Sequence, residues 1–202
     1  MTISTKLVNI AQMLPDAASP RRDQILSAAI TVFGQFGFRK TSMDNLAAAA
    51  QLSKQGLYLH FPSKEAVFLE AMQKYLDDGL VLVQEELSRH DTALFKRLVN
   101  AMDAWFGRHF VTFSPASFDV IETGQHLSAT RVEEYKAAFQ ARLAKALAES
   151  SEFKRSRNIS TPKEIAQVLF ICGLTWKDGH ASRADFTKKM AVCVRVCCQV
   201  ES

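Results

Sequence analysis

At 202 residues the chain is long enough to bury the core of one large or two small domains. Its hydrophobic content of 48% is that of a globular protein, and no apolar run reaches the length of a membrane span. The first residues lack the basic start and continuous apolar segment of a signal peptide, so a cytoplasmic protein is expected, and a net charge of +4 does not by itself imply nucleic acid.

Residues 1–19 are mixed in composition, carry Lys6 as their only basic side chain, and read as a mobile arm. From Pro20 to Phe36, the residues Ile25, Leu26, Ala29, Phe33 and Phe36 recur on one face at helical spacing, and Gly37 suits the stop. Ser42 can cap a second helix in which Met43, Leu46, Ala47 and Ala50 share a face. The alanines keep that face thin, so another helix can approach. Gln51 and Leu52 make a tight turn, and Ser53 caps a third helix with Leu57 and Phe61 turned inward. Pro62 ends it, and Ser63 caps a fourth helix with Lys64 and Glu65 in its first turn.

An apolar helix, a tight turn and a short helix bearing polar donors follow the pattern of a helix-turn-helix. In that reading Lys54 neutralises a phosphate and Gln55 pairs with a base edge. Tyr58 offers a hydroxyl to phosphate and a ring to a thymine methyl. The helix N-terminus at Lys64 holds another phosphate. The candidate DNA-binding residues are Ser42, Ser53, Lys54, Gln55, Tyr58, His60 and Lys64. Arg21, Arg22, Arg39, Lys40, Lys54 and Lys64 bracket them against Asp23 and Asp44. Such local positive potential steers DNA approach, the bland alternative being a solvated charged face.

The fourth helix is predicted over 63–87, on the order of 35 Å long at 1.5 Å per residue, with Gly79 as a possible kink. Beyond it the pattern predicts an amphipathic helix over 91–113, a shorter one over 116–125, and another over 131–150 with Tyr135, Phe139, Leu143 and Leu147 on one side. SSEFKRSRNIS reads as a polar loop. Thr161-Pro162-Lys163-Glu164 opens a helix with a capping box and a proline at its first position, stopping around Gly179. A last helix begins at Ser182 and runs to about Val200. No strand-like alternation or internal repeat is present. Cys193, Cys197 and Cys198 read as small packing residues, with a thiol redox sensor as the sharper alternative.

The segment from Arg21 to about Tyr75 resembles the N-terminal domain of the tetracycline-repressor (TetR) family of transcriptional regulators. Phe33, Gly37, Phe38 and Thr41 stand where that family's F…GF..T pattern puts them, and LYLHFPSKEAVF resembles its LYxxFxSKExLF. Two residues depart from the pattern. Gln51 stands where the family has glycine, at a turn that often needs positive φ. Gly56 stands inside the reading helix where the family carries threonine, alanine or proline, and should weaken that helix by roughly 0.5–1 kcal/mol.

The resemblance implies an all-α protein: a three-helix helix-turn-helix DNA-binding domain over 20–66, followed by a larger helical ligand-binding and dimerisation domain over 67–202. It implies a transcriptional regulator, most often a repressor, that binds near-palindromic operator DNA as a homodimer through its last two helices. Those helices carry Ile165, Val168, Leu169, Cys172, Trp176, Met190, Cys193, Val194 and Cys197, more apolar surface than one small domain needs, the alternative being closure of the monomer's own core. The implied effector is small and largely apolar. Candidate ligand-binding residues are Met102, Trp105, Phe106, His109, Phe113, Phe118, Glu122, His126, Tyr135 and Phe139, with Glu122 and His126 on one helical face. No metal site or cofactor is assigned, and no phosphate loop, nucleophile elbow or zinc-binding histidine pair argues for an enzyme. The rival reading, motivated by Gln51 and Gly56, is an all-helical small-molecule binding protein with weakened DNA affinity.

Overall fold

A computed structural model describes residues 20–114, 117, 119–156, 159–177 and 182–199; within it the side chains of 121, 122, 124–129 and 177 are not described. The predicted N-terminal arm, Phe118, and the predicted helix ends near Gly179 and Val200 lie outside the described residues. The regular structure is helical, with no strand among the described residues. In chain order it comprises α1 (Pro20–Phe36), α2 (Met43–Ala49), α3 (Lys54–Tyr58), α4 (Lys64–Leu87) and α5 (Leu94–Met102). A π-helical turn (Asp103–Gly107) follows, then α6 (His109–Thr112), α7 (Asp119–Glu149), α8 (Ser151–Arg155), α9 (Pro162–Lys177) and α10 (Arg183–Cys198).

The N-terminal helices start where their serines dictate. Ser42 Oγ accepts from the Asn45 amide at 3.2 Å while Asn45 Oδ1 accepts from the Ser42 amide at 2.9 Å, a reciprocal box. Ser53 Oγ accepts from Gly56 N at 3.0 Å, and Ser63 Oγ from Ala66 N at 3.2 Å. Removing such a cap costs about 1 kcal/mol. The helices close over a core of Ile25, Phe33, Leu46, Leu57, Phe61 and Phe68, each 1% exposed or less. Phe68 meets Phe33 and Phe38 edge-on at 5.1 and 4.9 Å. The turn after α2 places Gln51 at φ 55, in the left-handed region the sequence pointed to. Its carbonyl and that of Ala50 both accept from Arg21 Nη2, at 3.3 and 3.2 Å, which holds the unfavourable turn in place.

A second core fills the space between α4, α5, α7, α9 and α10 around Leu98, Met102, Phe106, Phe139, Leu143, Leu169, Phe186 and Met190. Two predicted features differ here. The helices expected over 116–125 and 131–150 are one helix, Asp119–Glu149, because no proline interrupts the stretch between them. The expected polar loop contains α8, capped by Ser150 Oγ accepting from Phe153 N at 3.4 Å, with Phe153 seated in the core and Glu152 capping the N-terminal amide of α5 at Leu94. The possible kink at Gly79 does not interrupt the helix: α4 is continuous. A Cβ at Gly79 would lie 2.6 Å from Arg108 Nη2 and 3.0 Å from Trp105 Cζ3, so the glycine makes room for these side chains.

The two cores are fastened directly. Ser114 N donates to Gly34 O at 2.8 Å and Ser114 Oγ to Gln35 O at 2.8 Å. The Asp119 carboxylate, at the first turn of α7, accepts from Phe38 N at 3.0 Å and from Arg39 N at 2.6 Å.

Candidate nucleic-acid interface and effector cavity

Helix α3 is five residues long, too short to persist alone, and is held by its Ser53 cap and by the burial of Leu57 and Phe61. With those two turned inward, Lys54, Gln55 and Tyr58 are all exposed, Tyr58 by 47%. Leu59 is 87% exposed beside them and extends the same edge. The sequence pattern gave no sign of it, since an apolar residue in an apolar-rich helix reads as core. Lys54 Nζ pairs with Asp44 Oδ2 at 2.9 Å, and that hydrogen bond raises the lysine pKa. Both partners are exposed, so the pair contributes little to stability and opens readily to a phosphate.

The remaining predicted contacts have structural duties. The Ser42 and Ser53 hydroxyls cap helices, and both residues are exposed. His60 is half-buried, and its carbonyl accepts from Arg22 Nη1 at 2.9 Å. Lys64 Nζ donates to Phe38 O at 3.0 Å and sits 4.3 Å from the centre of the Phe38 ring, so it ties the start of α4 to the loop before α2. Among the bracketing cations, Arg22 is clamped to Glu70 at 2.6 Å and lies over Phe61, and Arg21 holds the Gln51 turn. Arg39 and Lys40 are exposed in the loop preceding α2.

Above this unit lies a cavity of about 220 Å³ between α4, the π-helical turn, α6, α7 and α9. Of the predicted ligand residues, Trp105, Phe106, His109, Phe113 and Tyr135 line it. Met102 and Phe139 do not: both are fully buried in the second core, where Phe139 stacks on Trp105 at 5.1 Å. Phe118 and the side chains of Glu122 and His126 fall outside the description. Lining residues not foreseen come from α4 (Phe68, Leu69, Met72, Gln73, Leu76), from α9 (Phe170, Leu174) and, most consequentially, from Arg108, Arg131 and Lys136. Burial pushes the Tyr75 phenol up to about 12, and its oxygen lies 3.0 Å from His109 Nδ1. Burial also raises the Tyr135 phenol, which donates to Asp77 Oδ1 at 2.6 Å. Burial pulls the Arg108 guanidinium down from its ordinary value, although it stays a cation.

Of the apolar face predicted for pairing on α9 and α10, Ile165, Leu169, Met190 and Val194 are instead buried in the chain's own core with Cys172, Trp176, Cys193 and Cys197 packed against it, and only Val168 is exposed. The exposed apolar side chains there are Val168, Ile171, Leu174, Val192 and Val196, at 43–69%. Cys172, Cys193 and Cys197 are half-buried between the same helices and Cys198 is buried, with burial raising the thiols of Cys193 and Cys198 to about 12. No group of three or more His, Cys, Asp or Glu side chains among the described residues is placed to hold a metal, and no described helix is long and apolar enough to cross a membrane.

Residues 25–71 match the sequence profile of bacterial regulatory proteins of the tetR family. The HTH-type transcriptional regulator RutR of Escherichia coli K12 is 43% identical over 61 residues, 30% of this chain and 29% of RutR. The HTH-type transcriptional activator FasR of Mycolicibacterium smegmatis is 38% identical over 86 residues, 43% of this chain and 39% of FasR. The matches therefore span well under half the length of these relatives. Over the whole chain the likeness is one of fold: a TetR-family regulator from Rhodococcus sp. superposes with a TM-score of 0.65 at 20% identity, covering 89% of this chain and 99% of that one. A helix-turn-helix built on capped short helices and the profile match over it identify residues 25–71 as a helix-turn-helix domain of the tetR-family type, and the whole chain shares the fold of solved TetR-family regulators.

Proposed function

We propose that the chain is a ligand-responsive transcriptional repressor that binds a near-palindromic operator as a homodimer. Residues 20–66 act as the reading unit and 67–202 as the effector-binding and dimerisation unit, with α4 belonging mechanically to both. The observation that carries this reading is the exposed edge Lys54–Gln55–Tyr58–Leu59, followed directly in the chain by α4, whose first turns line the cavity. A five-residue helix reads only a few base pairs, so a two-fold pair is needed for a usable site. The exposed valines, isoleucine and leucine of α9 and α10 offer the surface for that pairing. Repression requires only that an occupied operator overlap a promoter.

Occupancy by effector shifts the reading units only through its differential affinity for the two arrangements. The test is a mobility shift with the DNA flanking the chain's own gene, alongside sedimentation of the free protein. Lys54→Ala should weaken binding across sequences and flatten the salt slope by roughly one. Gln55→Ala should relax preference at one base pair, by about 1–3 kcal/mol. If both variants bind like the wild type at physiological salt, the reading edge is misassigned. A dimer that binds apolar compounds but no DNA would favour the rival small-molecule binding protein.

A further inference from the structure

Arg108 sits oddly for an arginine. Its guanidinium stacks on the Tyr75 ring with Cζ 3.6 Å from the ring centre, in the space that Gly79 leaves open, and donates from Nη2 to Tyr75 O. Its Nε is buried and without a hydrogen-bond partner. Among the described residues no carboxylate pairs with it. Asp78, whose charge acts on it, also pairs with Lys74 at 3.2 Å, and Asp103 is held by Arg183 at 2.6 Å. A partly buried cation whose acidic neighbour Asp78 is shared with a lysine is costly to maintain, and a further negative group beside it lowers that cost.

The surroundings say what that is. Arg131 and Lys136 also line the cavity, and no aspartate or glutamate appears among its described lining residues. Lys136 is paired with Glu133 at 3.1 Å, and apart from Gln73 and His109 the rest of the wall is aromatic and aliphatic. We infer that the effector is a compact apolar acid, whose anionic group is received by Arg108 and whose body fills the space between α4, α7 and α9. The inference rests on the effector-cavity reading and gives its small, largely apolar compound an anionic group. A carboxylate suits the site, because Arg108, Arg131 and Lys136 bring N–H donors and positive charge to one cavity wall. The size follows from the volume: a 150 Å³ apolar cavity accommodates benzene, so 220 Å³ suits a molecule of roughly eight to twelve heavy atoms.

The experiment titrates the full chain with octanoate, octan-1-ol and octylammonium by calorimetry, and repeats the titration with Arg108→Gln. In the wild type, octanoate should bind about tenfold or more tighter than octan-1-ol, and octylammonium weakest. In Arg108→Gln the octanoate preference should collapse while octan-1-ol binds as before. Equal binding of acid and alcohol, or an acid preference that survives Arg108→Gln, would overturn the inference and leave the cavity reading standing. If no probe enters the wild-type protein, and neutral aromatic compounds of the same size also fail, the cavity reading falls and takes the inference with it. Circular dichroism melting shows whether Arg108→Gln folds; if it does not, the acid-to-alcohol ratio in the wild type decides alone.

Discussion

Asp119→Asn tests whether the second core grips the reading unit. The carboxylate of Asp119 reaches across from α7 to accept two backbone amides, Phe38 N at 3.0 Å and Arg39 N at 2.6 Å, immediately before α2. Charge-assisted bonds of this kind contribute about 1.5–3 kcal/mol each, with part-exposed examples toward the low end. Asparagine keeps one acceptor and turns an N–H₂ group toward the other amide, so one bond is lost and a donor faces a donor. A loss of about 2 kcal/mol follows, equivalent to roughly thirtyfold in the equilibrium between latched and unlatched arrangements. In a chain of this size that corresponds to a fall of about 4–8 °C in Tm if the two cores unfold together. Operator binding followed by fluorescence anisotropy, with and without a cavity ligand, supplies the functional readout. The ligand-induced change in operator affinity should shrink, because α7 carries Arg131, Val132 and Tyr135 on the cavity wall and would no longer be hitched to the loop before α2. An unchanged Tm together with an unchanged ligand response would refute the latch.

Gln51→Gly should stabilise the protein. It relieves a left-handed residue at a cost of about 1–2 kcal/mol and adds roughly 0.5–1 kcal/mol of unfolded-state entropy, so a net gain of about 0.5–1 kcal/mol should appear as a higher denaturant midpoint. A lower midpoint would mean that the glutamine side chain, not the backbone, holds the turn. Gly34→Ala should do the opposite despite alanine's better helix propensity, because its Cβ would lie 2.0 Å from the backbone oxygen of Thr112, which cannot swing aside. Overpacking there should cost about 1–3 kcal/mol by urea unfolding, and a neutral result would show that α6 yields freely. Stability should also decline from about pH 9 upward. Cys193, Cys198 and Tyr75 each titrate near 12 when folded, above their ordinary values of 9.0 for the thiols and 10.0 for the phenol. The unfolded chain therefore sheds those protons first, which favours unfolding between the two values, at about 1.4 kcal/mol per pH unit for each proton of difference. Unfolding free energies at pH 8 and pH 10.5 check it, and a flat profile would show that these groups are wetter than their packing implies.

The reading unit was legible in the sequence because its determinants are local. Ser42, Ser53 and Ser63 each cap the helix they precede, Gly37 adopts φ 83 just past α1, and the anomaly at Gln51 announced its own backbone conformation. The cavity was legible only in part, because its determinants are distant in sequence. Large apolar side chains look alike whether they line a void or fill a core, so sequence does not separate Met102 and Phe139 from Trp105 and Phe106. Arg108 carried no signal in an amphipathic stretch, where an arginine reads as solvated. Its environment is set by Gly79 and Tyr75 on α4, and nothing in the neighbouring residues reveals it. Phe153 carries no signal either, because a lone aromatic among polar residues has no periodicity to betray it.

The two cores do not merely abut; they converge on one residue. Phe68 is fully buried in the first core against Phe33 and Phe38, yet it also lines the cavity. Lys64, one turn earlier on α4, holds the Phe38 carbonyl and lies over its ring. From the other side, Asp119 holds the Phe38 amide. A molecule that spreads α4 from α7 therefore acts on the Phe38 loop by two routes, one through an aromatic contact and one through a carboxylate. Reducing operator occupancy tenfold requires only about 1.4 kcal/mol of coupling. The Asp119 bonds alone are of that size. The proposed response to a ligand thus calls for no large rearrangement: displacing one ring and stretching two hydrogen bonds at the loop that precedes α2 would change how α3 is presented.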